Sequence, residues 1–328
     1  MSSGPLVDTF GRVHRDLRIS VTDRCNFRCT YCMPEQGMQW HPRETLLSYE
    51  ELTRVARICV QRFGFDSIRL TGGEPTVRAN LADLVSMLAE LDVDLALTTN
   101  GALLGDQAQP LYEAGLRRIN ISLDSLRRER FLALTRRDEL DRVVKGIEAA
   151  VGSGLKPVKV NVVVVRGVND DEVVDFARFG RSLGVTIRFI EYMPLDADNK
   201  WDRSAVVPTA EIVAKISELY PLESLVRGSD PAQRFRYQDG GGEIGVIGSV
   251  TEPFCSNCDR VRLTADGQLR SCLFSTDETD LRATLRNGAS DDDLSDAIER
   301  TVLGKWAGHG ISSVNFIRPA RSMSEIGG

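Results

Sequence analysis

The chain has 328 residues, of which 42% are hydrophobic and 27% are charged, and its formal net charge is −6. These values are typical of a globular protein with one broad core or two domains, and the acidic balance argues against nucleic-acid binding. We find neither the roughly 20 consecutive apolar residues of a membrane helix nor a secretory signal, so no membrane association is expected.

Six β-type runs alternate with helical patterns through the first two thirds of the chain, which predicts βαβ units and a parallel sheet. The clearest helix is at 49–63, where Ser48 and Glu51 form a capping-box pattern. Asn169 with Glu172 indicates another helix start, and the acidic run after Ser290 indicates a third. The predicted strands are 17–22, 67–71, 94–100, 118–124, 158–165 and 186–192.

One face of five predicted strands is polar, and the opposite face is apolar. A closed eight-stranded barrel fills its lumen with bulky branched side chains. The polar face therefore predicts an open barrel whose lumen holds an anionic ligand. The polar positions include Arg18, Ser20, Thr22, Ser67, Arg69, Thr71, Thr98, Asn100, Arg118, Asn120, Ser122, Asp124, Lys159 and Asn161.

The strand pattern fades after about residue 220. Residues 228–242 are rich in Gly, Asp, Gln and Arg and are typical of a loop or a boundary. We therefore expect two domains, an α/β core over 9–227 and a smaller, irregular domain over 228–328.

The most informative motif is the run Cys25, Cys29 and Cys32. Thiolates this close in sequence select zinc, copper(I) or an iron–sulfur cluster. A cubane cluster normally takes four cysteines, so three would leave one iron open for a small molecule. Zinc stays the alternative, with His14 or His41 as a distant ligand, although zinc sites are usually built on C-x2-C pairs.

The spacing C-x3-C-x2-C, with Tyr31 before the last cysteine, resembles that of the radical S-adenosylmethionine enzymes. The resemblance implies that S-adenosylmethionine chelates the open iron. It also implies that one electron from the cluster cleaves this cofactor to a 5′-deoxyadenosyl radical. Members of that superfamily have a partial (β/α)6 open barrel, which agrees with the polar inner face.

A second group, Cys255, Cys258 and Cys272, also has three cysteines. By itself it would suit a structural zinc with a distant fourth ligand such as His309. After a radical motif, it indicates instead a second cluster whose open iron binds substrate. Six of the seven cysteines fall in these two groups, which fits a reducing cytoplasm better than a disulfide framework.

Basic residues on the polar faces indicate a polyphosphate pocket, because guanidinium groups bind phosphate in a bidentate manner. The sequence has no P-loop pattern, so a nucleotide would be held by arginines. The candidate cations are Arg18, Arg69, Lys159, Arg188, Arg260 and Arg262.

From about residue 9 to the end, the chain resembles the GTP 3′,8-cyclase family, whose members begin molybdenum-cofactor biosynthesis. The matching motifs are Thr-Asp-Arg-Cys-Asn-Phe-Arg-Cys-Thr-Tyr-Cys, Thr-Gly-Gly-Glu-Pro-Thr, Thr-Thr-Asn-Gly, Ser-Leu-Asp-Ser, Arg-Phe-Ile-Glu-Tyr-Met, Cys-x-x-Cys-x-Arg-x-Arg and the terminal Ile-Gly-Gly. The resemblance implies two 4Fe–4S clusters, hydrogen abstraction from C3′ of GTP, and closure of the ribose onto C8 of guanine. The product would be 3′,8-cyclo-7,8-dihydro-GTP.

The resemblance also implies residue roles. Gly327 and Gly328 would reach the active site, and beyond them and the clusters no catalytic residue is expected. The six candidate cations would hold GTP. The contacts with S-adenosylmethionine would be Tyr31, Gly73, Thr98, Ser122 and Met193.

Several partners follow from the same resemblance: GTP, S-adenosylmethionine, an external one-electron reductant, and cyclic pyranopterin synthase acting on the product. The chain would be a monomer or a homodimer. Two other functions stay open at this point. One is a different radical enzyme with an auxiliary cluster, such as a peptide maturase, and the other is a non-catalytic iron–sulfur or zinc protein.

Overall fold

The computed structural model describes residues 4–34, 36–196, 198–228, 230–311, 313 and 316–327. None of the described helices combines the length and apolarity needed to span a bilayer. The α-helices are α1 Tyr49–Phe63, α2 Leu81–Ala89, α3 Leu104–Glu113, α4 Arg128–Thr135, α5 Leu140–Gly152, α6 Val173–Leu183, α7 Thr209–Ser217, α8 Leu281–Arg286, α9 Asp291–Leu303 and α10 Met323–Ile326. The strands are β1 Leu6–Val7, β2 Val13–His14, β3 Asp16–Ser20, β4 Ser67–Thr71, β5 Asp94–Thr99, β6 Arg118–Ser122, β7 Val158–Val164, β8 Thr186–Glu191, β9 Leu222–Ser224, β10 Gln233–Tyr237, β11 Glu243–Ile247, β12 Arg260–Leu263, β13 Gln268–Arg270 and β14 Thr279–Asp280.

In the described part of the chain, twelve strands form one sheet in the order β14-β13-β12-β3-β4-β5-β6-β7-β8-β11-β10-β9. Strands β3 to β8 are parallel and follow chain order, and they match the six predicted strands within two residues at each end. The predicted partial (β/α)6 core is therefore confirmed. The C-terminal part adds one parallel strand at each side of this core, β12 beside β3 and β11 beside β8.

The predicted two-faced pattern of the strands is also confirmed. The apolar face packs beneath the helices, and each large aliphatic side chain buried there contributes about 1.5–3 kcal/mol. Cys59 is fully buried on the inner face of α1, as expected of a structural thiol. The fully buried strand residues include Leu17, Ile19, Ile68, Leu70, Leu97, Ile119, Ile121 and Val160.

Two of the three predicted helix starts are confirmed. Ser48 caps α1 and Ser290 caps α9, each in a capping box. The start predicted at Asn169 is wrong, because α6 begins at Val173 and Asn169 makes no cap. The Asn169 side chain instead bonds the amide of Val165, and this bond holds the turn that precedes the helix.

The loop expected at 228–242 contains strand β10, which pairs with both β9 and β11. In its sequence, Gln-Arg-Phe-Arg-Tyr, polar and apolar side chains alternate from the first arginine on, as expected of a strand with one exposed face. Because β9 and β10 pair across residues 227 and 228, the C-terminal part continues the sheet of the core. The division into 9–227 and 228–328 remains a prediction.

One buried carboxylate joins the core to the segment that leads to the second cysteine group. Glu191, at the end of β8, is 0% exposed. It accepts hydrogen bonds from the backbone amides of Thr209 at 3.2 Å and of Val250 and Thr251 at 2.8 Å, and from the Thr251 hydroxyl. The start of α7 and the turn after β11 are therefore fixed to the end of β8.

We expect Glu191→Gln to lower the free energy of unfolding by about 1–3 kcal/mol, because the amide NH2 would face backbone donors and leave them unpaired. Urea denaturation followed by circular dichroism measures the change. Glu252→Gln, at an exposed neighbouring position, is the matched control and should leave stability unchanged. Equal stability of the two variants would contradict this account of Glu191.

Candidate active site

The first cysteine motif lies in the loop after β3, at the carboxyl ends of the parallel strands. Cys25, Cys29 and Cys32 all line one cavity of about 180 Å³. The loop is held from outside by α4, because the amide of Arg28 donates to the carbonyl of Thr135 at 3.0 Å. The three thiols therefore face inward on a supported loop.

The glycine pair after β4 fixes this cysteine loop to the sheet. A Cβ on Gly72 would lie 2.5 Å from the Thr22 carbonyl oxygen, and one on Gly73 would lie 2.4 Å from that of Asp23. The gap is closed by a hydrogen bond of 2.7 Å from the Gly73 amide to the Thr22 carbonyl. Glycine is required here because the two backbones touch, which the sequence did not reveal.

All five residues predicted to contact S-adenosylmethionine line the cavity that contains the three cysteines: Tyr31, Gly73, Thr98, Ser122 and Met193. The structure thus brings together residues from the cysteine loop and from the ends of four different strands. Their individual roles remain predictions.

Two buried carboxylates border the same cavity. Glu74 is 1% exposed and is fully engaged by Thr76, Thr99 and the amide of Asn100, so it joins neighbouring strand ends. Asp124 accepts a hydrogen bond from the hydroxyl of Tyr31. Burial raises the pKa of Asp124 to about 6. Both carboxylates fix loops around the cavity.

A second cavity of about 120 Å³ is lined by five of the six predicted cations, Arg18, Arg69, Arg188, Arg260 and Arg262. The sixth, Lys159, is outside its lining, but its Nζ lies 3.8 Å from Asp230, which also pairs with Arg188. The predicted polyphosphate residues are therefore clustered.

The sheet register places three of these arginines side by side. Arg262 on β12 is the direct neighbour of Arg18 on β3, which is in turn the neighbour of Arg69 on β4. Like charges opposite each other on a sheet are destabilising. Burial and the adjacent Arg18 hold the pKa of Arg69 below its usual range. A bound anion would reduce the repulsion between these three arginines.

Only part of this charge is balanced within the protein. Asp16 lies 3.6 Å from Arg18, and Asp230 pairs with Arg188 and Lys159. Among the described residues, the buried Nε of Arg69 has no hydrogen-bond partner, and that of Arg18 lies 3.6 Å from Asp16, beyond hydrogen-bond distance. Buried guanidinium groups with unused donors beside a cavity are a feature expected of a phosphate site.

The second cysteine group adjoins this cavity. Cys258 precedes β12 and Cys272 follows β13, and the antiparallel hairpin β12–β13 brings the two together at one end. Its turn is closed by a hydrogen bond of 3.0 Å from the Gly267 amide to the Thr264 carbonyl, and Gly267 has a φ of +83°. The Asp-Gly pair at this turn is a signal that the sequence interpretation did not use. Phe254 and Leu273, each adjacent to one of the cysteines, line the arginine cavity.

Each cysteine group supplies three free thiols, a donor set that suits a cubane cluster with one open iron. Among the described residues, no three His, Cys, Asp or Glu side chains lie close enough to enclose a single metal ion. His14 is buried against Asp8, and His41 lies 3.9 Å from Asp266. The Nδ1 of His309 accepts a hydrogen bond of 3.2 Å from the amide of Ile311.

The end of the chain enters the lumen. The carbonyl of Gly327 accepts a hydrogen bond of 2.6 Å from Arg262. Gly327 has a φ of +86°, and a Cβ there would lie 2.8 Å from the Thr71 side chain. Only glycine suits this position. Gly328 lies outside the described residues.

The two cavities meet. Thr98, Asn161, Ile190, Met193 and Met323 line both of them. The first cysteine motif and the arginine row therefore line two parts of one lumen, and the five shared residues lie between these parts. Of the residues around it, Asp230 and Phe254 were not predicted, because nothing distinguishes them in irregular segments of the sequence.

Two family models match the chain in succession. The Radical SAM superfamily model matches residues 19–180, and the Molybdenum Cofactor Synthesis C model matches residues 185–311. The first contains the Cys25 motif, and the second contains all three cysteines of the second group.

Solved structures show the same fold. Streptococcus suis SuiB superposes with a TM-score of 0.62 at 15% identity, over 89% of this chain and 68% of that chain. Methylornithine synthase superposes with a TM-score of 0.55 at 16% identity, over 87% of this chain and 86% of that chain. At such low identity the likeness concerns the fold alone.

Curated relatives are much closer in sequence. GTP 3′,8-cyclase 2 of Mycobacterium tuberculosis is 49% identical over 335 residues, which cover 100% of this chain and 93% of the relative. GTP 3′,8-cyclase of Corynebacterium glutamicum is 48% identical over 336 residues, which cover 98% of this chain and 89% of the relative. With identity of this level along its whole length, and with both cysteine groups around one cation-lined lumen, the chain belongs to the GTP 3′,8-cyclase family.

Proposed function

We propose that this chain cyclises GTP to 3′,8-cyclo-7,8-dihydro-GTP, the first step of molybdenum-cofactor biosynthesis. The observation that carries the proposal is the shared wall between the cysteine-lined and the arginine-lined cavities. A radical formed in the first cavity would meet a nucleotide held in the second without crossing solvent. The low identity to SuiB gives no reason to prefer a peptide substrate.

The two cysteine groups would hold two 4Fe–4S clusters. Cys25, Cys29 and Cys32 would ligate the first, and the second group would ligate the other. When bound, the first cluster with S-adenosylmethionine supplies the 5′-deoxyadenosyl radical that removes the C3′ hydrogen of GTP. Tyr31, Gly73, Thr98, Ser122 and Met193 would orient S-adenosylmethionine beside it.

The cation row would hold the triphosphate. Arg18 and Arg69 have buried Nε donors without a hydrogen bond in the described part of the chain, and the Asp230 carboxylate takes the place of a phosphate by pairing with Arg188 at 2.5 Å and lying 3.8 Å from Lys159. In this proposal Asp230 gives way to the triphosphate. Arg260 and Arg262, which line the cavity next to the second cysteine group, would bind the nucleotide there, and the cluster held by that group would bind its guanine.

Partners follow from this chemistry. An external one-electron reductant would reduce the first cluster, and cyclic pyranopterin synthase would consume the product. We propose a cytoplasmic enzyme, because all seven thiols are free and the proposed clusters need reducing conditions. We propose that it is a monomer or a homodimer.

We expect Cys29→Ala to abolish release of 5′-deoxyadenosine, and Cys258→Ala to retain some release while losing cyclisation, because the second cluster is assigned to substrate. Chromatography of anaerobic reactions with and without GTP measures both products. Iron analysis should give about eight irons per chain in the parent and about four in each variant.

Cys59→Ala is the matched control, because this thiol is buried on the inner face of α1 and belongs to neither cysteine group, and it should retain both products and both clusters. Equal loss of 5′-deoxyadenosine in the Cys29 and Cys258 variants would contradict the division of labour. Tightly bound zinc in place of iron would contradict the cluster at that site.

We expect GTP binding to take up protons near pH 8.5. Burial and the neighbouring Arg188, Arg118 and Arg69, offset by Asp230, lower the pKa of Lys159 to about 8. The amine is therefore largely neutral at pH 8.5 in the free protein, and the triphosphate would raise its pKa and restore the proton. At pH 6.5 the amine is already charged, and little uptake should remain.

Titration calorimetry in two buffers of different ionisation enthalpy measures this uptake. Lys159→Met should remove it and weaken GTP binding, with S-adenosylmethionine binding unchanged. Uptake of the same size in Lys159→Met and in the parent would assign the proton to another group.

We expect Gly327→Ala to reduce product formation on the order of 100-fold while both clusters remain. The added Cβ would displace the tail, and a resulting shift of the substrate by about 1 Å can lower the rate by this factor. Product is measured by single-turnover assay and iron by analysis. Gly105→Ala is the control, since a Cβ there meets no atom within 4 Å. Normal turnover of the Gly327 variant, or of a chain lacking Gly327 and Gly328, would show that the tail is dispensable.

A further inference from the structure

A buried polar cluster lies behind the second cysteine group, outside both cavities. It consists of Asp8, Arg12 and His14 from the N-terminal hairpin β1–β2, and Lys305, which follows α9. These four residues are 4%, 8%, 0% and 3% exposed, respectively. Nothing in the proposed chemistry of GTP uses them.

The ammonium of Lys305 lies within hydrogen-bond distance of four acceptors. Its Nζ donates to the carbonyl of Arg260 at 2.7 Å and lies 3.5 Å from both the Sγ and the carbonyl oxygen of Cys258. It also lies 3.5 Å from the Nδ1 of His14. An ammonium has three protons, so one can be directed to Arg260, one to His14 and the third to Cys258, whose thiol belongs to the second cysteine group.

The Asp8–His14 pair orients this contact. The Nε2 of His14 lies 3.1 Å from the Oδ2 of Asp8, so we assign the ring proton to Nε2, which leaves the Nδ1 lone pair facing Lys305. Arg12 neutralises Asp8 and also donates to the carbonyl of Cys255 at 2.8 Å. The hairpin thereby supports both Cys255 and Cys258.

A purely structural role explains this arrangement poorly. Burying an ammonium is costly unless a negative partner is near. Asp8, the carboxylate of the cluster, is already bound by Arg12 and His14, and the His14 imidazole lies between it and Lys305. In the cysteine ligand, by contrast, the sulfur carries negative charge when it binds iron.

We propose that Lys305 is a positioning residue that tunes the second cluster through an N–H···S hydrogen bond to Cys258, with the Asp8–His14 pair holding the ammonium in place. This inference rests on the proposed second cluster. Hydrogen bonds and positive charge at a ligating sulfur stabilise the reduced, more negative cluster and raise its reduction potential. They also reduce electron donation by the thiolate, so the open iron becomes a stronger Lewis acid toward a purine.

The test is a redox titration of the full, anaerobically reconstituted chain, followed by electron paramagnetic resonance. The signal of the second cluster is assigned by comparison with Cys29→Ala, which retains only that cluster. Lys305→Met keeps the aliphatic stem and removes the donor, and it should shift the midpoint potential of the second cluster to more negative values. Lys305→Gln, a neutral donor, should give a smaller shift in the same direction.

Three controls make the result specific. The potential of the first cluster should not move in any Lys305 variant. Lys305→Arg retains a charged donor and should restore a potential close to that of the parent. Lys145→Met, at an exposed position on α5, should change neither potential.

The outcomes separate this inference from the function on which it rests. About four irons in the parent chain would refute the second cluster itself. About eight irons with unchanged potentials in Lys305→Met and Lys305→Gln would refute the tuning role alone. Loss of the second cluster in both neutral variants but not in Lys305→Arg would support a charged donor at Cys258, and loss in all three would indicate packing and overturn the proposal.

Discussion

The site depends on one constraint of the sheet, the register that makes Arg262, Arg18 and Arg69 direct neighbours on three parallel strands. Backbone hydrogen bonds fix the spacing of the strands, so the three arginines stay neighbours. The sheet thus holds a concentration of positive charge that an acidic protein would otherwise avoid. The proposed anion site would therefore depend on the register of the strands and not on a dedicated phosphate loop.

Both described ends of the chain support the lumen. The hairpin β1–β2 contacts the second cysteine group through Arg12 and, by way of Lys305, through His14. At the other end, α10 leads to Gly327, whose carbonyl meets Arg262. Glu191 ties the intervening segment to the core. The cysteine groups are therefore held by parts of the chain that are distant in sequence, and the geometry of the site depends on the whole fold.

The sequence allowed the core to be predicted because its signals are local. Alternating polar and apolar residues gave the six strands, and Ser48 with Glu51 marked a helix start. Contacts between distant segments could not be predicted in this way. In the sequence, Gly72 and Gly73 are only two positions without a side chain. The structure shows why: the backbone at Thr22 and Asp23 lies so close that a Cβ would not fit. Likewise, the sequence around Asp230 and the sequence around Arg188 give no indication that these two residues pair.

The position of β12 beside β3 has a consequence for how the chain folds. Strand β3 is among the first to be synthesised, but its partner on one side comes from the distant C-terminal part. Parallel pairs between distant segments form slowly, so one edge of β3 stays unpaired while most of the chain is made. Charged side chains on an open edge discourage pairing with other molecules. Asp16 and Arg18, which face the lumen in the finished protein, would therefore also protect the nascent chain from aggregation.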